Sequence, residues 1–349
     1  MPIVAHNSLE TLQRLKEEGL EVLDLKRANS QDIRELHIGL LNMMPDGALR
    51  ATERQFLRLI GSSNRIAQFY VHIFTINGVP RSTETQSYID ANYEKFSDLQ
   101  KEGLDALIIT GTNPTSENFS DEPYLDELKE VFAWGEKNVC SVLCSCLASH
   151  AAFKYFYQID RRPLPEKLFG VFSQKVLDRT HPLMSNINSR FDMPHSRKNT
   201  VLAEDLTARD LHILVAGEET GFSLATSPDG FRNIYLQGHP EYDVHSLLKE
   251  YRRDLLLYRD GKLAQKPALP AHYFNTEAQK ILNLWLQNPK VDFPEAQLAE
   301  LVDITWRDTA KAIFANWLGL IYELTHYERQ KQYMDGINPE NPLEGIWKR

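Results

Sequence analysis

The chain has 349 residues, 42% of them hydrophobic and 25% charged, with a formal net charge of −9. It is long enough to bury a sizeable core without disulfides or metals, and its negative balance offers no global field for nucleic acid or an anionic membrane. The opening MPIVAHNSLE has no basic segment followed by an apolar one, and no run approaches 18 apolar residues, so neither a signal peptide nor a membrane span is expected.

In chain order, residues 37–41, 69–74, 106–110 and 139–143 are short apolar runs rich in Ile and Val. They lack strict alternation, which is the pattern of strands buried on both faces. Helical patterns at 51–59, 124–136 and 147–156 accompany them. This alternation predicts an α/β fold with a doubly wound, mostly parallel sheet flanked by helices. Residues 168–175, 212–216, 221–225 and 233–237 read as further strands with few helices between them, so an antiparallel or mixed section is expected. A helix is predicted over 243–258, and 259–270 has the composition of a linker. Residues 288–302 read as an insertion with its own short helix, and 305–327 carry a strong helical pattern. The expected division is an N-terminal segment 1–35, a catalytic domain 36–260 and a C-terminal helical extension 261–349 packed on the same domain.

The three cysteines, Cys140, Cys144 and Cys146, are too clustered for a disulfide framework, and a reducing, cytoplasmic compartment is expected. Cys146 stands where a β-run ends and a helical pattern begins. There the free backbone N–H groups and the helix dipole favour a thiolate and can hold a developing oxyanion. This is the logic of a nucleophile elbow with Cys in place of Ser. A buried structural cysteine is the ordinary alternative, and the segment alone leaves both readings open for Cys146. For Cys140 and Cys144, inside the strand run, core packing is expected. The C-x3-C-x-C spacing is not a zinc pattern, and no metal is expected.

The segment NIYLQGHPEYD (233–243) supplies the second element. A thiol nucleophile needs a base, and His239 suits that task near neutral pH. Glu241 stands two positions on, so an extended backbone would put both side chains on one side. Pro240 biases His239 towards an extended conformation.

A Cys elbow followed much later by strand-Gly-His-Pro-Glu resembles the class I glutamine amidotransferase-like fold. Within it, GHPEYD with a downstream Arg253-Asp254 resembles the homoserine O-succinyltransferase family. LLNMMP (40–45), TERQFLRLI (52–60), ALIITG (106–111), EKLFGVF (166–172), PHSR (194–197) and FANWL (314–318) match that family in its order. The resemblance implies that Cys146 forms an acyl-thioester, His239 is the general base and Glu241 orients it. It implies that Lys167, Ser196 and Arg253 bind the amino-acid substrate; an Arg fork suits an α-carboxylate. The substrates implied are L-homoserine and an acyl-CoA, with no bound cofactor, in methionine biosynthesis. A homodimer is a further expectation.

The chain departs from the family pattern in four places. The loop after Pro45 is Asp46-Gly47-Ala48-Leu49-Arg50 where lysines are usual. The stretch 110–119 differs from the usual Thr-Gly-Ala-Pro start. It contains Thr115 at the position that is Gly in succinyl users and Glu in acetyl users, so a succinyl donor is expected. The elbow reads Cys-Leu-Ala rather than Cys-Trp-Ala, and 275–302 is longer than usual. Competing readings are an acetyl donor, serine as acceptor, a glutamine amidotransferase-like hydrolase, and a catalytically dead binding protein. Ser145 and Leu147 beside Cys146 argue against the amidotransferase, whose elbow carries glycines. The presence of Cys146, His239 and Glu241 together argues against a dead relative.

Overall fold

The apolar runs of the first half become the middle of one sheet covered by helices on both faces. The computed structural model describes residues 3–64, 66–114, 116, 119–288 and 292–346. Its strands are β1 (Ile3–Ala5), β2 (Val22–Asp24), β3 (Glu35–Leu41), β4 (Gln68–Phe74), β5 (Ala106–Ile109), β6 (Ser141–Ser145), β7 (Arg162–Val176), β8 (Arg190–Thr200), β9 (His212–Gly217), β10 (Gly221–Thr226) and β11 (Asn233–Leu236). The α-helices are α1 (Glu10–Glu17), α2 (Leu25–Asn29), α3 (Asp46–Ser63), α4 (Thr83–Asn92), α5 (Phe96–Glu102), α6 (Leu125–Asn138), α7 (Leu147–Tyr157), α8 (Ala203–Thr207), α9 (Ser246–Arg259), α10 (Thr276–Gln287), α11 (Glu295–Ala299) and α12 (Arg307–Leu324).

The described strands form one 11-stranded sheet in the order β2-β1-β4-β3-β5-β6-β11-β10-β9-β7-β8. Neighbours from β2 to β11 are parallel. Neighbours from β11 to β8 are antiparallel. The predicted α/β class, a mostly parallel sheet between helices, is the architecture found.

Strands β5 and β6 explain the unbroken apolar runs. Ala106, Ile108 and Leu143 join a layer with Phe56 and Ile60 of α3 and Phe314 and Trp317 of α12. Leu107, Ile109, Val142 and Cys144 face the opposite layer, with Leu128 and Phe132 of α6 and Ala148 and Phe153 of α7. Every position on these strands is buried, so no polar face interrupts the pattern. A third cluster gathers α9, α10 and α11 around Tyr251, Trp285, Leu298 and Trp306, beside Phe169 of β7.

Several elements differ from the sequence reading. Residues 46–50, expected as a loop, are the first turns of α3, with Pro45 at the N-cap and its carbonyl accepting from Leu49 N–H at 3.0 Å. The helix expected from 243 begins at Ser246, because 243–245 form a turn and Asp243 is held by Arg54 at 2.7 Å. The strand expected over 139–143 lies two residues later. Strand β8 escapes the reading because Pro194 and four charged residues break its pattern; it is the edge strand, where Pro is tolerated. Strands β1 and β2 have three residues each, too few to show a period. Helix α10 was also missed, although Asn275 caps it by accepting from Ala278 N–H at 2.9 Å.

Helix α12 is fastened to the sheet through Trp317, whose indole N–H donates to Ser141 Oγ at 2.9 Å in the core. Trp317→Ala is expected to cost about 3–5 kcal/mol. Equilibrium urea unfolding measures this; a loss under about 1 kcal/mol would show that α12 does not anchor the fold.

Candidate active site

The elbow is built by backbone geometry. Cys146 caps α7 with φ 53° and ψ −111°, a conformation that costs a non-glycine residue about 1–3 kcal/mol. Neighbouring bonds hold it. Cys146 N–H donates to the Leu236 carbonyl at 2.7 Å, and Ser149 N–H reaches the Cys146 carbonyl at 3.0 Å. Ser149 Oγ bonds the Cys144 and Leu236 carbonyls at 2.8 and 3.0 Å. The Cys146 thiol is half-buried, whereas Cys140 and Cys144 are fully buried, and burial pushes both of those thiols up. Leu147 N–H opens α7, so no carbonyl of its own helix can satisfy it. Gly111 faces this amide; a Cβ there would lie 3.4 Å from Leu147 N and 3.6 Å from Cys146 Cβ. Glycine therefore keeps space open above the elbow.

Three contacts fix His239. Its N–H donates to the Pro194 carbonyl at 2.8 Å, tying the turn after β11 to the edge strand β8. Its Nδ1–H donates to Glu241 Oε1 at 2.7 Å. Its ring stacks on Tyr242 with centroids 4.3 Å apart and planes 18° apart. Gly238 precedes it, where a Cβ would force the Met193 side chain to shift. His239 and Glu241 meet differently from the sequence expectation. The backbone is not extended there but turns, with Tyr242 N–H donating to the His239 carbonyl at 3.2 Å.

The electrostatics join the elbow to this turn. Burial opposes a charge on His239, but the Glu241 carboxylate and the hydrogen-bonded Cys146 sulfur outweigh it and hold its pKa well above the ordinary histidine value. Since Nδ1 is taken by Glu241, Nε2 is the nitrogen left for Cys146. The arrangement can hold a thiolate–imidazolium pair and move one proton between sulfur, nitrogen and a bound substrate.

Lys167, Ser196 and Arg253, from β7, β8 and α9, converge on two carboxylates. Lys167 Nζ lies 2.7 Å from Glu250 Oε1 and 3.2 Å from Asp254 Oδ2. Ser196 Oγ donates to Glu250 Oε1 at 2.7 Å. Arg253 pairs with Asp254 at 2.7 Å and lies 3.6 Å from Glu250. A cavity of about 610 Å³ is lined by Cys146, His239, Ser196, Glu250 and Arg253, together with Gly111, Thr112 and Asn113. Lys167 stands behind Glu250 rather than on the wall. Thr115 lies outside the described residues. The sequence reading gave no role to Glu250, Asp254, Tyr242 or Gly111, although the last three stand in its motifs. The signal for the first two was their spacing of four on a predicted helix, which puts both carboxylates on one face.

A thiol at a strand-to-helix elbow, faced by a histidine–carboxylate pair on the neighbouring strand end, defines an α/β protein with a cysteine-centred site. Residues 2–327 match the family model described as "HTS: Homoserine O-succinyltransferase". A protein of that name from Cardiobacterium hominis is 65% identical over 345 residues, covering 98% of this chain and 99% of the relative. Another from Methylobacter tundripaludum is 52% identical over 352 residues, covering 98% and 99%. The chain belongs to the homoserine O-succinyltransferase family. It is therefore an acyltransferase acting on small-molecule substrates. A solved glutamine amidotransferase from Thermotoga maritima is similar at 12% identity and a TM-score of 0.45, over 84% of this chain and 99% of that one. Among the described residues, no helix is long and apolar enough to cross a membrane.

The contrast among the three thiols is directly measurable. Brief treatment of the native protein with iodoacetamide is expected to alkylate Cys146 and spare Cys140 and Cys144, as read by peptide mass spectrometry. Equal labelling of Cys144 would contradict the burial described.

Proposed function

We propose that the chain transfers a succinyl group from succinyl-CoA to the hydroxyl of L-homoserine through an acyl-enzyme on Cys146. The observation that carries this reading is the His239–Glu241 pair set against the half-buried Cys146 thiol. Its support from kinship is near-full-length similarity to proteins named for that activity.

The steps follow from the geometry. The Cys146 thiolate attacks the thioester carbonyl, and the Leu147 N–H steadies the oxyanion. The carbon–sulfur bond to coenzyme A breaks, and the leaving thiolate takes the proton from His239. The now neutral His239 accepts the homoserine hydroxyl proton through Nε2. The resulting alkoxide attacks the acyl-cysteine, the ester forms, and the Cys146 thiolate leaves beside an imidazolium. Glu241 stays ionised throughout and keeps the ring in register.

The surroundings suit both substrates. Arg253 offers a two-pronged donor for the homoserine carboxylate, and Glu250 an acceptor for its ammonium. Lys167 and Ser196 hold Glu250 in place for that contact. Arg14, Arg54, Arg58, Lys249 and Arg307 also line the cavity, and they would meet the phosphates of coenzyme A. By the family resemblance, position 115 separates succinyl from acetyl users, and threonine brings no acidic group to it.

Mass spectrometry after brief exposure to succinyl-CoA is expected to find a succinyl adduct on Cys146. His239→Ala is expected to lower acyl transfer by at least about 100-fold. An adduct on another residue, or wild-type rates in His239→Ala, would remove the proposed mechanism.

The donor assignment has its own test. Thr115→Glu is expected to reduce kcat/KM for succinyl-CoA more than for acetyl-CoA, because the resemblance implies that this position meets the acyl group, where a like charge costs more than lost space. Preference of the unmutated chain for acetyl-CoA at equal concentration would reverse the assignment.

A further inference from the structure

A second cluster of ionisable side chains lies on the N-terminal half of the sheet. His6 follows β1, His72 lies within β4, and Glu94 follows α4. None of the three lines the cavity that holds Cys146. One ligand atom from each falls within 4.8 Å of the other two.

The hydrogen bonds around His6 fix its tautomer. Leu9 N–H donates to Asn7 Oδ1 at 3.2 Å, which orients the amide. Asn7 Nδ2 therefore donates to His6 Nε2 at 3.3 Å, so that nitrogen carries a lone pair. His6 Nδ1 lies 3.1 Å from the Val4 carbonyl and must be the protonated nitrogen. Glu94 Oε1 lies 3.7 Å from the same Nε2. A carboxylate therefore stands beside a nitrogen whose lone pair only the Asn7 amide engages.

A proton count gives the same result at His72. Glu94, His72, His37 and Glu35 form a chain of close contacts. His72 Nδ1 is 3.0 Å from both Glu94 oxygens, His72 Nε2 is 2.8 Å from His37 Nδ1, and His37 Nε2 is 3.0 Å from Glu35 Oε1. Each of the three links needs one proton, but two neutral imidazoles bring only two. If His37 donates to Glu35 and His72 donates to His37, the His72 Nδ1 lone pair faces a carboxylate. One further proton or cation is required at that end, and His6 Nε2 lies within reach of the same carboxylate.

We propose that His6 Nε2, His72 Nδ1 and the Glu94 carboxylate bind a divalent transition-metal ion of the zinc type. Two imidazoles and a carboxylate are a ligand set that zinc accepts, with water completing a tetrahedron. Bonds of about 2.0–2.1 Å set tetrahedral ligand atoms roughly 3.4 Å apart, close to the 3.0 and 3.7 Å separations here. The outer partners are of the kind that orient metal-bound histidines: the Val4 carbonyl behind His6, and His37 with Glu35 behind His72. The ion would displace only the Asn7 amide. The site has an entry path, because the Glu94 side chain is 32% exposed. A bound ion would tie the N-terminal strand β1 and the segment after α4 to β4, apart from the acyl-transfer chemistry.

The test uses the full chain as Cys146→Ser, so that the elbow thiol cannot bind metal, stripped with a chelator and titrated with zinc by calorimetry. One equivalent is expected, with a rise in melting temperature. His6→Asn and Glu94→Gln should weaken binding by more than about 100-fold, and His37→Gln by about 10–100-fold as an outer-shell change. Cobalt added to the stripped Cys146→Ser chain, with no further substitution, keeps the test valid should those variants misfold. Its spectrum should show nitrogen–oxygen ligation at one equivalent without a sulfur-to-metal band. The proposal is overturned by absence of zinc binding to Cys146→Ser, in which case a proton on His72 supplies the missing charge. Binding left unchanged in His6→Asn and Glu94→Gln, or a sulfur-bound cobalt spectrum, also overturns it.

Discussion

The hydrogen bond from Cys146 N–H to the Leu236 carbonyl holds the two halves of the candidate site together. It joins the end of β6 to the end of β11, which are parallel neighbours with Ser145 opposite Leu236. From that level one chain turns into α7 through Cys146, and the other turns through Gly238 and His239. Side chains from residues 93 positions apart therefore meet. A one-residue slip in this register would turn the strand side chains to the opposite faces and separate the pair.

This arrangement carries costs that the core offsets. Cys146 holds an unfavourable backbone conformation, and burial works against the charge on His239. Both persist because the surroundings leave little alternative. The elbow is clasped by Ser149, the imidazole by Glu241 and Tyr242, and the His239 backbone N–H by the Pro194 carbonyl. The apolar layers on either face of β5, β6 and β11 supply the rigidity behind these contacts.

The two parts of the sheet have different tasks. The parallel half ends in the elbow and the histidine turn. The antiparallel half, with α9, brings Lys167, Ser196 and Arg253 around Glu250 and Asp254. Two neighbouring carboxylates would repel each other, and Lys167 between them relieves that.

Much of this was legible in local sequence. The parallel strands are continuous apolar runs because both faces are buried, and α3, α6, α7, α9 and α12 show helical patterns. Cys146 stood out by its place between a strand and a helix, and His239 with Glu241 by residue type and spacing. Those signals are written within a few residues of one another. Other features were not readable, because their causes lie far apart in the chain. The edge strand β8 tolerates its polar, proline-containing sequence because no described strand pairs beyond it. Glu250 matters because Lys167, 83 residues away, and Ser196, 54 away, reach it. The histidines at 6, 37 and 72 become one cluster only when β1, β3 and β4 align. Local composition determined the elements and the reactive residue types. Strand order and register, which no short window encodes, decided which of those residues face one another.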